Sequence, residues 1–284
     1  MPGSLKVLAC YLMWAFLVLY WPLFGAMDPL AVLSFRIIFS MLVLGQGLAI
    51  LALMKDKRQM LFLLLAGITI TVNWGGYIIA VMTGRVIDAS LAYYMYPIFS
   101  IVLGFFIYNE RLRPLQWVAF VLAVLGVTVP IIAYGQVPVF AIIIGTSFAF
   151  YGAIKKQITA SGMLSIFMET LMVVPVALIY LVAFSYLEGL TPRDILLIPT
   201  MGVVTTVPLL FFAVGMKDTS LSLAGVLMYI NPTIQLLLGV FIMGEEFTTI
   251  HAWMFAFVWS GVVLFLADGF RERKKSGREK EQAE

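Results

Sequence analysis

Charge is scarce in this chain of 284 residues: only 12% are Asp, Glu, Lys or Arg, about half the share of a soluble domain. There is one cysteine, Cys10, and one histidine, His251. A lone cysteine excludes an intrachain disulfide, and so few soft ligands exclude most metal and nucleophile constellations. HExxH, GxxxxGK[ST] and a Ser/His/Asp set at one depth are all missing. Their absence removes the metalloprotease, nucleotide-hydrolase and serine-hydrolase readings. The alternating ten-residue segments of an outer-membrane barrel are missing too. No cleavable leader fits, because the first apolar segment is too long and lacks a small-residue cleavage site.

What the chain does have is apolar length. Hydrophobic residues make up 62%, and they form segments at 5–26, 29–53, 60–82, 86–108, 115–134, 138–154, 163–187, 194–216, 220–243 and 248–267. A helix of about 20 such residues spans about 30 Å of hydrocarbon. The expected fold is an all-α membrane protein with ten transmembrane helices. The net charge of +3 sits in short loops and a tail, so it does not argue for nucleic acid.

The second half repeats the first. Pro97, Gly104, Glu110 and Gly126 return 135 positions later as Pro232, Gly239, Glu245 and Gly261. Ala89 and Ala224 keep the same step. The expected organisation is a five-helix repeat over 1–135, a second over 136–270 and a charged tail over 271–284. An odd number of spans per repeat turns the second upside down, the inverted-topology arrangement common among secondary transporters. The loops agree. Asn109-Glu110-Arg111-Leu112-Arg113 is net positive, while Gly244-Glu245-Glu246-Phe247 is negative. With the N-terminus inside, Lys6, Lys55, Lys57, Arg58, Arg111, Arg113, Lys155, Lys156, Lys217 and the basic residues of the tail all fall inside. Only Arg85 and Arg193 fall in outer loops. Basic loops stay cytoplasmic, so both termini are expected in the cytoplasm.

Ionisable residues inside hydrocarbon are costly and point to function. Arg36 sits seven residues into the second span, about 10 Å below the outer face. Either it reaches for the outer headgroups or it serves the site. Glu169 lies about as deep from the inner face, and a short carboxylate reaches out poorly. It is expected in a solvated cavity as a group that could bind a proton. The depths argue against a direct Arg36–Glu169 pair. Pro97 and Pro232 fall mid-span, where each removes a backbone hydrogen bond. Paired breaks mark a midplane site or, failing that, packing kinks. Tyr96 and Asn231 precede them. Asn73-Trp74-Gly75-Gly76-Tyr77 lies within the third span, where an asparagine needs a partner and glycines allow close helix approach. The expected substrate-binding set is Trp14, Asn73, Trp74, Tyr77, Tyr93, Tyr96, Tyr151, Glu169, Tyr229 and Asn231. Glu169 is the coupling residue, and Arg36, Pro97 and Pro232 have structural roles. Trp21 is assigned to an interfacial belt and His251 to an interface. No metal site and no cofactor is expected.

Particular strings carry a resemblance. Ala9-Cys10-Tyr11-Leu12-Met13-Trp14 with Tyr20-Trp21, then Asn73-Trp74, Gly84-Arg85-Val86-Ile87-Asp88-Ala89-Ser90-Leu91 and Glu110-Arg111-Leu112, resemble the RarD branch of the EamA-type drug/metabolite transporters. Glu169-Thr170-Leu171, the stretch from Tyr229 to Thr233 and Gly244-Glu245 agree with it. The resemblance implies a ten-helix inverted repeat that moves small metabolites or drugs across the bacterial inner membrane, with export the expected direction. One departure stands out. This chain has Tyr96 where the family usually has Asn, and Asn231 where it usually has a small residue. The expected partners are a small-molecule substrate, the bilayer and, if Glu169 carries them, protons; the chain works as a monomer or a homodimer. The competing readings are a non-transporting scaffold and an intramembrane enzyme. The enzyme needs a second catalytic group at the depth of Glu169.

Overall fold

The computed structural model describes residues 2–24, 27–44, 56–82, 86–135, 139–188, 190–242 and 247–281. Among them there is no strand. The α-helices are α1 (Gly3–Phe16), α2 (Pro29–Leu44), α3 (Lys57–Met82), α4 (Val86–Tyr108), α5 (Pro114–Tyr134), α6 (Val139–Gln157), α7 (Gly162–Ala183), α8 (Pro192–Gly215), α9 (Leu221–Leu227), α10 (Ile230–Phe241) and α11 (Thr249–Glu281). Helices satisfy their own backbone groups, which hydrocarbon demands. Eight spans are long and apolar enough to cross a membrane, with α9 and α10 counted as one. α1 and α2 are shorter apolar helices. The surface is apolar as well: Phe241, Leu196 and Ile132 are 81%, 76% and 75% exposed. That degree of exposure suits lipid rather than water.

Local chemistry sets the helix starts. Asp28 Oδ1 accepts from the backbone N–H of Leu30 and Ala31, and Asp56 Oδ1 from those of Arg58 and Gln59. Ser161 caps α7 and Ser220 caps α9. Thr191 and Asp194 cap α8 reciprocally, with Pro192 in its first turn, the arrangement of a capping box. α5 stops at Gly135, whose φ of 65° is left-handed, a conformation glycine adopts without strain.

Several expected boundaries shift. The first span leaves α-helix at Phe16 and continues as 3-10 turns over Leu17–Leu19 and Trp21–Phe24. α6 runs through Lys155 and Lys156 to Gln157, so these lysines are helical rather than in a loop. The start of the tail continues α11. The prolines behave differently from each other. Pro97 sits inside a continuous α4. Pro232 falls in the first turn of α10, after a turn at Met228 and Tyr229 has ended α9. A first-turn residue needs no intrahelical donor, so proline costs little there.

The helices interleave. α1 lies along α8 and against α9 and α10; α2 lies along α7 and α8; α3 along α6 and α7; α4 along α6 and α9; α5 along α11. Take α9 with α10 as the ninth span. First–eighth then has its counterpart five spans on in sixth–third, first–ninth in sixth–fourth, and second–eighth in seventh–third. Second–seventh, fourth–ninth and fifth–tenth map onto themselves. The α5–α11 pair shows the reciprocity in detail. A Cβ on Gly126 would come within 2.8 Å of Val258 Cγ2, and one on Gly261 within 2.7 Å of the Ala119 carbonyl.

These contacts make a stability prediction. Gly261→Val drives a branched side chain into the Ala119 carbonyl and should lower stability by about 1–3 kcal/mol. Gly75 has nothing within 4 Å of an added Cβ, so Gly75→Ala should leave stability unchanged or raise it by up to ~1 kcal/mol through helix propensity. Thermal unfolding of purified protein in detergent checks both.

Candidate functional site

The buried polar centre lies between α6 and α7. On α7, Ser165 and Glu169 are one turn apart and share a face. Opposite them, in the last turns of α6, are Tyr151 and Lys155. Lys155 is 1% exposed and Glu169 3%. Lys155 Nζ donates to Glu169 Oε1 at 2.5 Å and to Ser165 Oγ at 2.5 Å. Ser165 Oγ donates to Glu169 Oε1 at 2.7 Å, and Tyr151 OH donates to Oε2 at 3.0 Å. The ammonium also lies 5.2 Å from the centre of the Tyr151 ring, within cation–π range. Helix α3, from the other half of the chain, packs against the backbone of Glu169. It does so through Gly67, whose added Cβ would stand 3.3 Å from the Glu169 carbonyl.

Glu169 is therefore a paired, buried carboxylate rather than a solvated one. A narrow cavity with room for about one water molecule borders it. Its wall includes Ile37 of α2, Ile70 and Trp74 of α3, Tyr151 of α6, Glu169 of α7 and Leu209 of α8. Trp74 carries a second cation: the Arg36 guanidinium stacks 3.8 Å from its ring centre. Arg36 thus turns into the bundle rather than out to headgroups.

Behind Tyr151 stands a packed aromatic cluster. Tyr151 stacks on Phe212 at 5.8 Å and 9° between planes, and Phe148 on Phe212 at 5.3 Å. Trp14 meets Phe148 at 5.5 Å and Tyr96 meets it at 4.9 Å. Tyr11, fully buried, ties the spans of Pro97 and Pro232 together. Its hydroxyl is 3.2 Å from that of Tyr96, and its carbonyl accepts from Asn231 Nδ2 at 3.1 Å. The residues that precede the two prolines thus converge on one residue of α1.

The expected set divides. Trp14, Tyr96, Tyr151 and Glu169 come together, and Trp74 lines the cavity. Tyr77 and Tyr93 pair at 6.1 Å, and Tyr93 interacts electrostatically with Arg36. Asn73 and Asn231 bond across helices: Asn73 Nδ2 donates to the Ile144 carbonyl at 2.8 Å, just as Asn231 Nδ2 does to Tyr11, while Asn231 Oδ1 is buried without a hydrogen-bond partner. Tyr229 does not join the site. It packs 6.3 Å from Tyr94, in the core that α4, α5, α9 and α11 share. Of the two mid-span glycines only Gly76 makes a close approach, its added Cβ 3.2 Å from Ile144 Cγ1. His251 accepts from the Thr248 N–H at the start of α11. The Trp21 side chain and the stretch from Arg85 to Ser90 lie outside the described side chains.

Sequence reasoning missed Lys155, Ser165 and Tyr11. Lys155 sits beside Lys156, and the pair reads as a basic loop. The available signal was the spacing of Ser165 and Glu169, a polar pair on one face of an apolar helix. A second titratable group does stand at the depth of Glu169, contrary to expectation. It is not arranged as a base, however: Lys155 donates to Ser165, and the serine proton points to Glu169.

A bundle of membrane-crossing helices around a buried charge pair, with a cavity beside it, has the make-up of a polytopic membrane transporter. The sequence profile of the EamA-like transporter family matches residues 1–131 and again 137–267. An uncharacterized transporter of Vibrio cholerae is 35% identical, over 95% of this chain and 93% of its own length. Protein RarD of Escherichia coli is 32% identical, over 97% of each. The uncharacterized transporter YojE of Bacillus subtilis is 36% identical, over 93% of each. The fold is shared with a protein of known crystal structure at a TM-score of 0.70 and 16% identity, over 93% of this chain and 98% of that one. This chain belongs to the EamA-like transporter family, with the RarD proteins among its relatives. It is a multi-pass membrane transporter of the drug/metabolite type.

The charge pair makes a prediction. Removing one partner of a buried pair leaves an uncompensated charge and costs about 3–5 kcal/mol, while removing both can be neutral. Lys155→Met should destabilise by that amount. Lys155→Met/Glu169→Gln should recover most of it. A double-mutant cycle on thermal unfolding measures the coupling, and additive effects would deny it.

Proposed function

We propose that the chain is a secondary transporter that moves small metabolites or drugs across the bacterial inner membrane by alternating access around the cavity at Glu169. One observation carries the reading: a buried ion pair, Lys155 with Glu169, borders a cavity walled by helices of both halves. A scaffold has no need of such a centre. The two family matches and the reciprocal helix contacts support a five-plus-five duplication. The loop charges support inversion of the second half, with both termini in the cytoplasm. The chain binds its substrate as a monomer, in which both halves already contribute to the site.

Glu169 is the proposed coupling residue. It takes a proton when the cavity faces the more acidic side and gives it up on the other. The alternative role, anchoring a cationic substrate, is disfavoured by Lys155, which already holds the carboxylate.

Three measurements test this. A reporter fused after Glu284 should read cytoplasmic and one inserted within 135–137 periplasmic; two readings on one side would end the inverted arrangement. Protein in proteoliposomes should give saturable flux of a metabolite or drug found by ligand screening. Glutamine mimics the protonated acid, so Glu169→Gln should lose accumulation driven by a pH gradient yet keep counterflow exchange. Loss of both would assign an anchoring role, and parental activity in both would make the residue structural.

A further inference from the structure

Three donors converge on the Glu169 carboxylate from two helices: Lys155 Nζ and Ser165 Oγ on Oε1, and Tyr151 OH on Oε2. Such convergence is how proteins recognise carboxylates, through short charge-assisted bonds reinforced by neutral donors. Here the protein's own side chain fills the cradle. The cavity reaches its edge, because Tyr151 and Glu169 both form the cavity wall, and Lys155 and Ser165 lie behind them.

Charge bookkeeping decides what can enter. Lys155 and Glu169 sum to zero, and both are almost wholly buried. A cationic substrate seeking Glu169 would meet Lys155 already there, leaving two cations on one carboxylate. A neutral substrate would find every donor engaged. An anion can take over the donors, provided Glu169 leaves and loses its charge. A protonated Glu169 alone would leave Lys155 as a lone buried ammonium, which is costly. The proton on Glu169 and the anion on Lys155 thus belong together, and the loaded site stays neutral.

We propose that Lys155, Ser165 and Tyr151 form the binding site for a carboxylate group of the transported substrate, and that Glu169 occupies this site as an internal stand-in while the cavity is closed. The substrate is then a small organic acid. Its apolar body faces Ile37, Ile70, Trp74 and Leu209, and one proton is bound with it. This rests on the transport reading above. It is tested by binding, so either can fail while the other stands.

The test uses purified full-length protein and sodium acetate as the probe. Glu169→Ala vacates the cradle and leaves Lys155 unpaired. Acetate should raise its Tm saturably, as expected for a ligand that binds only the folded state. Sodium chloride at equal concentration, acetamide and methylammonium should raise it less or not at all. The parent protein, whose cradle is filled by Glu169, should respond more weakly than the variant. Lys155→Met/Glu169→Ala, with no charge left in the cradle, should fold and not respond. An acetate effect no larger than that of chloride, or one that persists without Lys155, overturns the proposal. If Glu169→Ala does not fold, Glu169→Gln is compared with the parent using 3-phenylpropionate, its amide and its amine. The acid alone should protect, and more strongly in the variant. Equal protection by the three, or preference for the amine, overturns the proposal.

Discussion

In hydrocarbon, helices gain nothing by hiding apolar faces from a solvent that is itself apolar. They associate through close approach and through polar groups that find partners inside the protein. This constraint explains most of the contacts between the halves. Gly126 and Gly261 let α5 and α11 touch along their backbones. Asn73, Ser100 and Asn231 each donate to a carbonyl of the opposite half. The strongest contacts of each helix are with helices of the other half, so neither half packs alone.

The charge pair is arranged differently. Lys155 and Glu169 lie on consecutive helices joined by a short turn. They therefore move together with one half, and no rearrangement between halves need break them. What faces them from the other half is the bare backbone of α3 at Gly67 and the apolar wall from Ile37 to Trp74. The chemistry of the site is thus carried by one half, and the other supplies its cover.

Much of this was legible from the residues alone. The spans showed because twenty apolar residues in a row have few other uses. The step of 135 positions pointed to a duplication because proline, glycine and glutamate are hard to keep in register by chance. Glu169 stood out because nothing else acidic lies so deep. The partners of Glu169 were hidden for a physical reason: a lysine at a helix end reads the same whether its ammonium points to water or folds back into the core. Lys155 reaches Glu169 while its neighbour Lys156 bonds the Thr219 carbonyl, and only the rotation of α6 distinguishes them. The asparagines misled in the other direction. A buried amide signals a need for a partner, and a backbone carbonyl meets that need as well as a ligand does.

The Glu110 carboxylate follows α4, yet it bonds a helix of the other half of the chain. It accepts from the backbone N–H of Leu221 at 2.7 Å and of Ser222 at 2.9 Å, and from the Ser222 hydroxyl at 2.6 Å. All three lie at the first turn of α9, whose positive dipole end suits a carboxylate. At its other end α9 stops at the turn of Met228 and Tyr229. A seven-residue helix is thus pinned by a strut at one end and hinged at the other. Any swing of α9 about that turn must either drag the α4–α5 linker with it or strip three hydrogen bonds from Glu110 at once. The motion is therefore all-or-none at this corner, and the linker between two helices of one half acts as a bolt on a helix of the other.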